Sequence, residues 1–478
     1  MKATLSAVVL LGLLSSCSGG AGEASVDLTD APNLVLISID TMRPDYLGCY
    51  GYDRGVSPEL DAFAAEGTIF EDVTSASPWT LPSHTTMLTG QYPSTHGVKS
   101  HEFSLTAESL ATWLQKLGYQ TIGIVNSHNI GDARYGLMQG FEIGEWVYEM
   151  ELDEETGRMI PSVIYNRAPK IFGRAKKHLN KRDPEKPFFL FLHFYDVHTD
   201  FTPLPQYEAQ YVDPYDGPLT SVTQDLSRAR NRMLVGELEL EDADVRYLEQ
   251  MYDAEIRTFD QRLGGFFDFL EAKGLADSTV VCITSDHGEE YNEHGSLLHG
   301  RTHYQELVRI PWILRGPGVP PGRRVDTPVH LVDVAPTLYA LAGIPGPPGM
   351  DGYDASLTWR APESLPGLRY LFSEADHNNL VPGEDGKLTD AHDIKRMVRL
   401  ENMVLHYDTV TEKKELYDIS VDPFEQNDLA AEEPEQVAHL FEKLEEFHAR
   451  EGSARVIGEV SEEDQALLDQ LGYGGADQ

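Results

Sequence analysis

Four stretches of almost unbroken aliphatic and aromatic residues limit what this chain can fold into: Asn33–Ile39 (N-L-V-L-I-S-I), Thr121–Val125, Phe188–Phe194 and Thr279–Thr284. A strand with one face in water alternates apolar and polar residues. These runs do not alternate, so both of their faces must be covered. Helical patterning fills the intervals, notably Leu105–Leu117, closed by Gly118, and Asp242–Lys273. Strands alternating with helices predict an α/β fold, a large and mainly parallel sheet sandwiched by helices. Pro345-Gly-Pro-Pro-Gly349 is a strong breaker after a helix-like Val332–Ala342. Beyond it, strand-like pieces at Arg369–Phe372, Arg396–Leu400 and Met403–Tyr407, and a helix at Glu435–Arg450, lack the β-α-β rhythm. A main domain over residues 32–354 and a smaller C-terminal subdomain over 355–478, an antiparallel sheet with a helix, are the expected division.

The N-terminus reads as an address. Lys2 precedes an apolar Ala3–Leu14, too short to span a bilayer. Leu14-Ser15-Ser16-Cys17 resembles the bacterial lipobox. Residues 1–16 are thus expected to be a lipoprotein signal peptide, Cys17 the lipidated residue, and 17–31 a polar tether. That places the chain in the bacterial cell envelope, anchored to a membrane by lipid and facing the periplasm or the exterior. With 38 Lys+Arg against 78 Asp+Glu, a formal −40, the chain would repel a nucleic-acid backbone, and no nucleic-acid partner is expected. Residues 167–186 stand out as basic, a solvated helix face or a patch for an anionic substrate or lipid head group. Three cysteines (Cys17, Cys49, Cys282) exclude a disulfide scaffold and a four-cysteine zinc site.

Two aspartates end apolar strands, Asp40 after Leu34–Ile39 and Asp286 after Val280–Ser285. A strand-end Asp is often only a turn former or helix cap, yet in open α/β sheets that edge is where ligands bind. Asp286 is followed by His287, and a carboxylate beside an imidazole makes a metal corner. A third piece is Pro78-Trp79-Thr80-Leu81-Pro82-Ser83-His84. Pro82 and Ser83 can open a helix, with Thr80 just before it, where backbone N–H groups and the dipole favour an anion. A hydroxyl there, beside a metal on Asp40 and Asp286, is a plausible nucleophile.

These pieces resemble the sulfatase family within the alkaline phosphatase superfamily. The resemblance runs in order through Asn33–Pro44, Thr80–Gly97, Tyr252–Gly264, Thr284–Glu290, Asp333–Gly343 and Glu415–Ala430. It implies a mixed, mainly parallel sheet between helices, a C-terminal four-stranded antiparallel sheet, and metal-dependent hydrolysis of sulfate esters. The sequence departs from the family at the nucleophile. Thr80 stands where the family has a Cys or Ser that becomes formylglycine, His84 replaces its arginine, Asp40 is followed by Thr41 rather than a second Asp, and Asn126-Ser127-His128 lacks a lysine. T-x-P-x-H instead resembles the nucleotide pyrophosphatase/phosphodiesterase branch, which implies an unmodified Thr as both nucleophile and metal ligand. A phosphodiesterase, phosphomonoesterase or phosphonate hydrolase is therefore the alternative. A non-catalytic protein that binds anionic glycans is a third reading.

Carried over by position, the resemblance implies that Asp40, Thr80, Asp286 and His287 hold a divalent metal, with Thr80 attacking. The family implies Ca²⁺, while the imidazole of His287 suits Zn²⁺ or Mn²⁺. His198 follows the strand Phe188–Phe194 and is suited to protonate a leaving oxygen. His299 and Arg301 flank Gly300, which aligns with the family's catalytic lysine, and either could contact the ester. His84 would position the Thr80 turn or the anion. Asp196, His198 and His303 could instead build a second metal site, and His96 and His294 would cap or pack. The expected partner is a sulfated or phosphorylated small molecule or glycan.

Overall fold

A computed structural model describes residues 27–152, 159–162, 167–382, 387–450 and 452–457. The expected signal peptide, Cys17 and most of the tether lie outside the described residues. The apolar runs form the middle of an eight-stranded sheet made of β1 (Asn33–Ile39), β2 (Thr68–Phe70), β3 (Gln120–Val125), β4 (Ile143–Trp146), β5 (Phe188–Phe194), β6 (Thr279–Thr284), β7 (Trp312–Arg315) and β8 (Arg323–Val325). Their order is β8-β2-β7-β6-β1-β5-β3-β4. Among these eight, β7 alone runs against its neighbours. In the central strand, Leu34 through Ile39 are fully buried, which is why β1 lacks alternation.

Successive residues of β1 still point to opposite faces. Leu34 and Leu36 pack with α1 (Thr80–Thr89), α2 (Leu110–Leu117) and, later in the chain, the helix Val334–Leu341, through Leu81, Leu88, Leu114 and Leu338. Val35, Ile37 and Ile39 pack on the other face, with α3 (Ala168–Leu179), α4 (Thr223–Leu234) and α5 (Asp242–Ala272), through Ile171, Leu226, Phe259 and Leu263. The helix expected from Leu105 begins at Leu110. The Ser109 hydroxyl accepts a hydrogen bond from the Thr112 amide at 3.2 Å, and the Ser109 amide donates in return to the Thr112 hydroxyl at 2.8 Å, a capping box that defines the start. Gly118, at φ +103°, closes it as expected.

The C-terminal sheet is a meander of β9 (Tyr370–Pro382), β10 (Leu388–Leu400), β11 (Met403–Asp408) and β12 (Lys414–Asp418). β9 and β10 run longer than their apolar sequence signals, because their outer halves are polar (Asp376-His-Asn-Asn379, Thr389–Asp393). The helix α6 (Pro434–His448) covers the sheet through Leu440, Leu444 and Phe447, and Phe447 stacks on Phe372 at 3.8 Å. The same core takes in Ala76, Tyr92 and Val332, so the small sheet is packed against loops and turns of the main domain. No helix among the described residues is long and apolar enough to cross a membrane.

Candidate active site

Strands β6, β1 and β5 are neighbours and parallel, so the residues after their C-terminal ends meet at one edge. Asp40 follows β1, and its amide donates to Phe194 O at 2.9 Å. The next residue, Thr41, has φ +54°, a left-handed conformation that a β-branched residue rarely adopts. Tyr252 from α5 braces this turn. Its hydroxyl donates to Thr41 O at 2.8 Å and accepts from the Arg43 amide at 2.9 Å. On the adjacent strand, the Ser285 hydroxyl donates to His287 O at 2.7 Å and accepts from the Met42 amide at 3.0 Å, tying the two loops together. Gly288 passes so close to the Glu306 carbonyl that any Cβ would collide with it.

Asp40, Asp286 and His287 are fully buried, and their ligand atoms lie within 4.8 Å of one another. His287 Nε2 is 3.2 Å from Asp286 Oδ2 and 3.7 Å from Asp40 Oδ1. Neither of those oxygens has a hydrogen-bond partner. The other ring nitrogen, Nδ1, is 2.9 Å from Gly288 O, so an N–H there fixes the tautomer and leaves Nε2 for a ligand. Burial pushes the Asp40 carboxyl up to about 7, against the pull of His287. Two buried carboxylates with orphaned oxygens need a cation, and one imidazole with two carboxylates is a fitting set for a divalent metal.

Thr80 is the first residue of α1 rather than the residue before it, so the helix opens two positions earlier than Pro82 suggests. Ser83 does not cap; its hydroxyl donates to Ser77 O at 2.7 Å. The Thr80 hydroxyl is 3.4 Å from His287 Nε2, with the positive end of α1 at its back. His84, one turn on, is fully buried with both nitrogens engaged: Nδ1 is 2.9 Å from Thr80 O and 3.4 Å from Asp286 Oδ2, and Nε2 is 2.8 Å from the Ser38 hydroxyl. These contacts make His84 a pin between the Thr80 turn, β1 and the Asp286-His287 corner. His193, inside β5, has Nε2 3.2 Å from Asp40 Oδ2 and orients that carboxylate.

A second group lies beside the first. His198, Glu289 and His299 also offer ligand atoms within 4.8 Å of one another. The rings of His299 and His287 are 4.4 Å apart, and those of His299 and His198 4.9 Å. Burial holds both His198 and His299 well below the ordinary imidazole range, and it pushes Glu289 up to about 8. Arg230 on α4 is 94% buried, and its charge is felt by Glu289, His299 and Arg301. Asp196 and His303 do not join this group. Asp196 accepts from the Ala168 amide at 2.8 Å at the start of α3, and His303 faces His406 and Glu374 of the C-terminal sheet. Cys282 is buried inside β6, accepting from Trp312 Nε1 at 3.2 Å, and Cys49 is in the short 3-10 helix Gly48–Tyr50.

Sequence reasoning named Thr80, Asp40, Asp286, His287, His198 and His299, and they converge. It did not single out His193, Glu289 or Arg230. A histidine within the unbroken run F-F-L-F-L-H-F was the visible signal for His193, and the D-H-G-E order for Glu289. Arg230 sits on an ordinary amphipathic helix and had no signal.

The profile of the Sulfatase family matches residues 32–344. An arylsulfatase of Clostridium perfringens is 26% identical over 411 residues, covering 74% of this chain and 84% of that protein. Among solved structures, the phosphonate monoester hydrolase of Agrobacterium radiobacter superposes with a TM-score of 0.69 at 22% identity, covering 91% of this chain and 99% of that one. A structure solved with its substrate D-glucosamine-2-N,6-O-disulfate superposes at 0.67 with 20% identity, covering 88% and 98%. The matched profile spans the main sheet, the Thr80 turn and the Asp286-His287 corner, and on that ground the chain belongs to the sulfatase family, divalent-metal-dependent ester hydrolases of the alkaline phosphatase superfamily.

Proposed function

We propose that this chain is a lipid-anchored hydrolase of sulfate esters on small molecules or glycans, with unmodified Thr80 as nucleophile and a divalent cation held by Asp40, Asp286, His287 and Thr80. The observation that carries the reading is the Thr80 hydroxyl, at a helix N-terminus and 3.4 Å from the His287 nitrogen of a buried carboxylate corner. A cation bound there would lower the pKa of the hydroxyl and offset the charge of the ester. Thr80 Oγ1 attacks sulfur, a bond forms between them, and the bond from sulfur to the leaving oxygen breaks. The hydroxyl proton departs with the alcohol. Water then attacks the same sulfur, sulfate leaves, and Thr80 regains its proton. The end of α1 and the charges of Arg301 and Arg230 favour the anion, while His84 and His193 hold Thr80 and Asp40 in place. Ca²⁺ is the metal the family resemblance implies, and His287 suits Zn²⁺ or Mn²⁺.

One observation favours a second reading, hydrolysis of phosphate or phosphonate esters. Thr80 lacks the aldehyde-derived second hydroxyl of formylglycine, so release depends on water attacking the central atom, a reaction phosphorus supports on the same geometry. Purified protein assayed side by side on p-nitrophenyl sulfate, p-nitrophenyl phosphate and p-nitrophenyl phenylphosphonate, with Ca²⁺, Mn²⁺ or Zn²⁺, separates the two. Sulfate turnover should dominate, and dominant phosphate or phosphonate turnover assigns the second reading. Thr80→Ala should lower kcat by about 10⁴-fold in either case; retained turnover removes Thr80 as nucleophile. Cys17→Ser should shift the protein from the membrane to the soluble fraction.

A further inference from the structure

We infer that the end of the molecule bearing Lys177, Lys181 and Lys186 docks on the anionic head groups of the membrane that holds Cys17, with the Thr80 site turned away from the bilayer. The inference rests on the lipid-anchored reading above and adds to it a surface and an orientation. Residues 167–186 hold eight of the chain's 38 Lys and Arg but only two of its 78 Asp and Glu. The fold gives these eight cations different surroundings. Arg167 and Lys170 lie at the start of α3, near Asp196. Arg174 pairs with Glu145 at 2.6 Å, Lys176 donates to Gly265 O at 2.7 Å, and Arg182 donates to Leu179 O at 2.9 Å. Lys177, Lys181 and Lys186 are exposed, and among the described residues none of the three has a hydrogen-bond or ion-pair partner. A cation in the last turn favours a helix C-terminus, which accounts for Lys177. It does not account for Lys181 and Lys186, which lie beyond the end of α3 at Leu179.

The place of these lysines in the fold points to the membrane. Gln120, the first residue of β3, holds the turn that carries Lys181 and Lys186: its side-chain amide donates to Asp183 O at 2.9 Å and Lys186 O at 3.3 Å, and its oxygen accepts from the Asp183 amide at 2.8 Å. The turn therefore lies at the edge where the parallel strands begin, opposite the edge that carries Asp40, Asp286 and His287. The chain enters the fold at this same edge. The Asn33 side-chain oxygen accepts from the Phe188 amide at 3.2 Å, Pro32 O accepts from the Tyr119 hydroxyl at 3.1 Å, and Leu28 lies beside Gly118. The segment from Cys17 to Asp27 can reach at most about 35 Å, so a lipid on Cys17 keeps this edge close to the bilayer and raises the concentration of head groups around it. Strand β5, at about 3.3 Å per residue, sets the Thr80 edge about 20 Å further out. Lys273, just past the end of α5, is a further exposed cation at this edge. Asp183, Glu185 and Asp277 share the edge, but a lysine carries its ammonium on a long flexible stem and reaches head groups that a short aspartate does not. An anionic bilayer repels the acid-rich remainder of the surface, so this end is the one it admits.

The test is amine acetylation of the full-length lipidated protein, held on vesicles of phosphatidylcholine alone or with about one-third phosphatidylglycerol, and read by mass spectrometry. Lys177, Lys181 and Lys186 should be acetylated about tenfold more slowly on the anionic vesicles, and that protection should vanish at about 1 M NaCl. Lys413 and Lys443, in the C-terminal subdomain, should label equally on both. Equal labelling of the three lysines on both vesicles, or protection that salt leaves intact, overturns the patch. Unlipidated Cys17→Ser protein added to the same vesicles measures the patch without the anchor. Lys177→Glu, Lys181→Glu and Lys186→Glu together should weaken its binding to the anionic vesicles by about 100-fold, at about fivefold per lysine; unchanged binding overturns the assignment. Protection of the lysines by heparin but not by the anionic vesicles gives them to a soluble polyanion and overturns the lipid assignment. Wild type whose Cys17 carries no lipid by intact mass overturns the anchor reading. Salt-sensitive binding of the Cys17→Ser protein to the anionic vesicles then still supports the patch, and its absence overturns both.

Discussion

His84 is fully buried, with both ring nitrogens in contact with protein groups. It bridges the Ser38 hydroxyl, the Thr80 carbonyl and Asp286 inside the protein, and burial lowers it to about 3, so it is a neutral imidazole at working pH. Replacing it leaves buried polar groups unpaired, each worth about 1–3 kcal/mol. His84→Ala should therefore lower stability by about 2–4 kcal/mol and kcat by about 10- to 100-fold with little change in KM, seen by urea denaturation and steady-state kinetics. A large KM effect with unchanged kcat would instead make His84 a substrate contact. The cluster of Asp40, Asp286 and His287 was legible because these residues end apolar runs, where a polar residue breaks a pattern. Glu289 and His193 were harder, because their roles depend on which loops face each other.

At the scale of elements, the loop after β6 is held by more than its Asp286-His287 corner. His294 Nδ1 is 2.6 Å from Glu306, and Nε2 is 3.1 Å from Glu425 O near the C-terminal sheet. Burial opposes protonation, but the hydrogen bond and charge of Glu306 hold His294 up at about 9. A histidine with a raised folded pKa contributes stability in full below its ordinary value of about 6.5, and that contribution is lost as pH rises through 9. Stability should thus fall by about 1–2 kcal/mol between pH 6.5 and 9.5, after allowance for solvent screening, and His294→Gln should flatten that dependence. Chemical denaturation at the two pH values checks it. Helix limits at this scale were partly readable: Gly118 closes α2 as read, whereas α1 starts at Thr80 because an extended Trp79 precedes it and Pro82 is accommodated within the first turn.

For the whole molecule, the small C-terminal sheet holds the segment of the main domain that leads into Thr80. Glu374 on β9 is its main tie. The Glu374 amide donates to Ala76 O at 2.9 Å, its carbonyl accepts from the Ser77 hydroxyl at 2.6 Å, and its carboxylate takes the Ser94 amide at 2.9 Å, Lys99 at 3.2 Å and His448 at 3.0 Å. Burial disfavours its charge, but His448 and Lys99 hold it well below the usual carboxylate range. A depressed acid contributes stability above its ordinary pKa, near 4.5, which is lost as pH falls below that. Glu374→Gln should cost about 3 kcal/mol at pH 7, less at pH 3, and should lower kcat by loosening the segment that leads into Thr80. A stability loss that leaves kcat unchanged would confine Glu374 to docking the small sheet on the main domain.

The sequence by itself determined the α/β class, the covered central strands, the C-terminal unit and the carboxylates at strand ends, because hydrophobic period and its interruptions are local properties of the chain. Only the tertiary structure decided that Thr80 opens its helix against His287, that His84 points into the protein, and that His198 meets Glu289 and His299 rather than Asp196 and His303. Those outcomes depend on strand order and on contacts between segments far apart in sequence. Burial, which sets how strongly each carboxylate and imidazole needs a partner, exists only once the chain has folded.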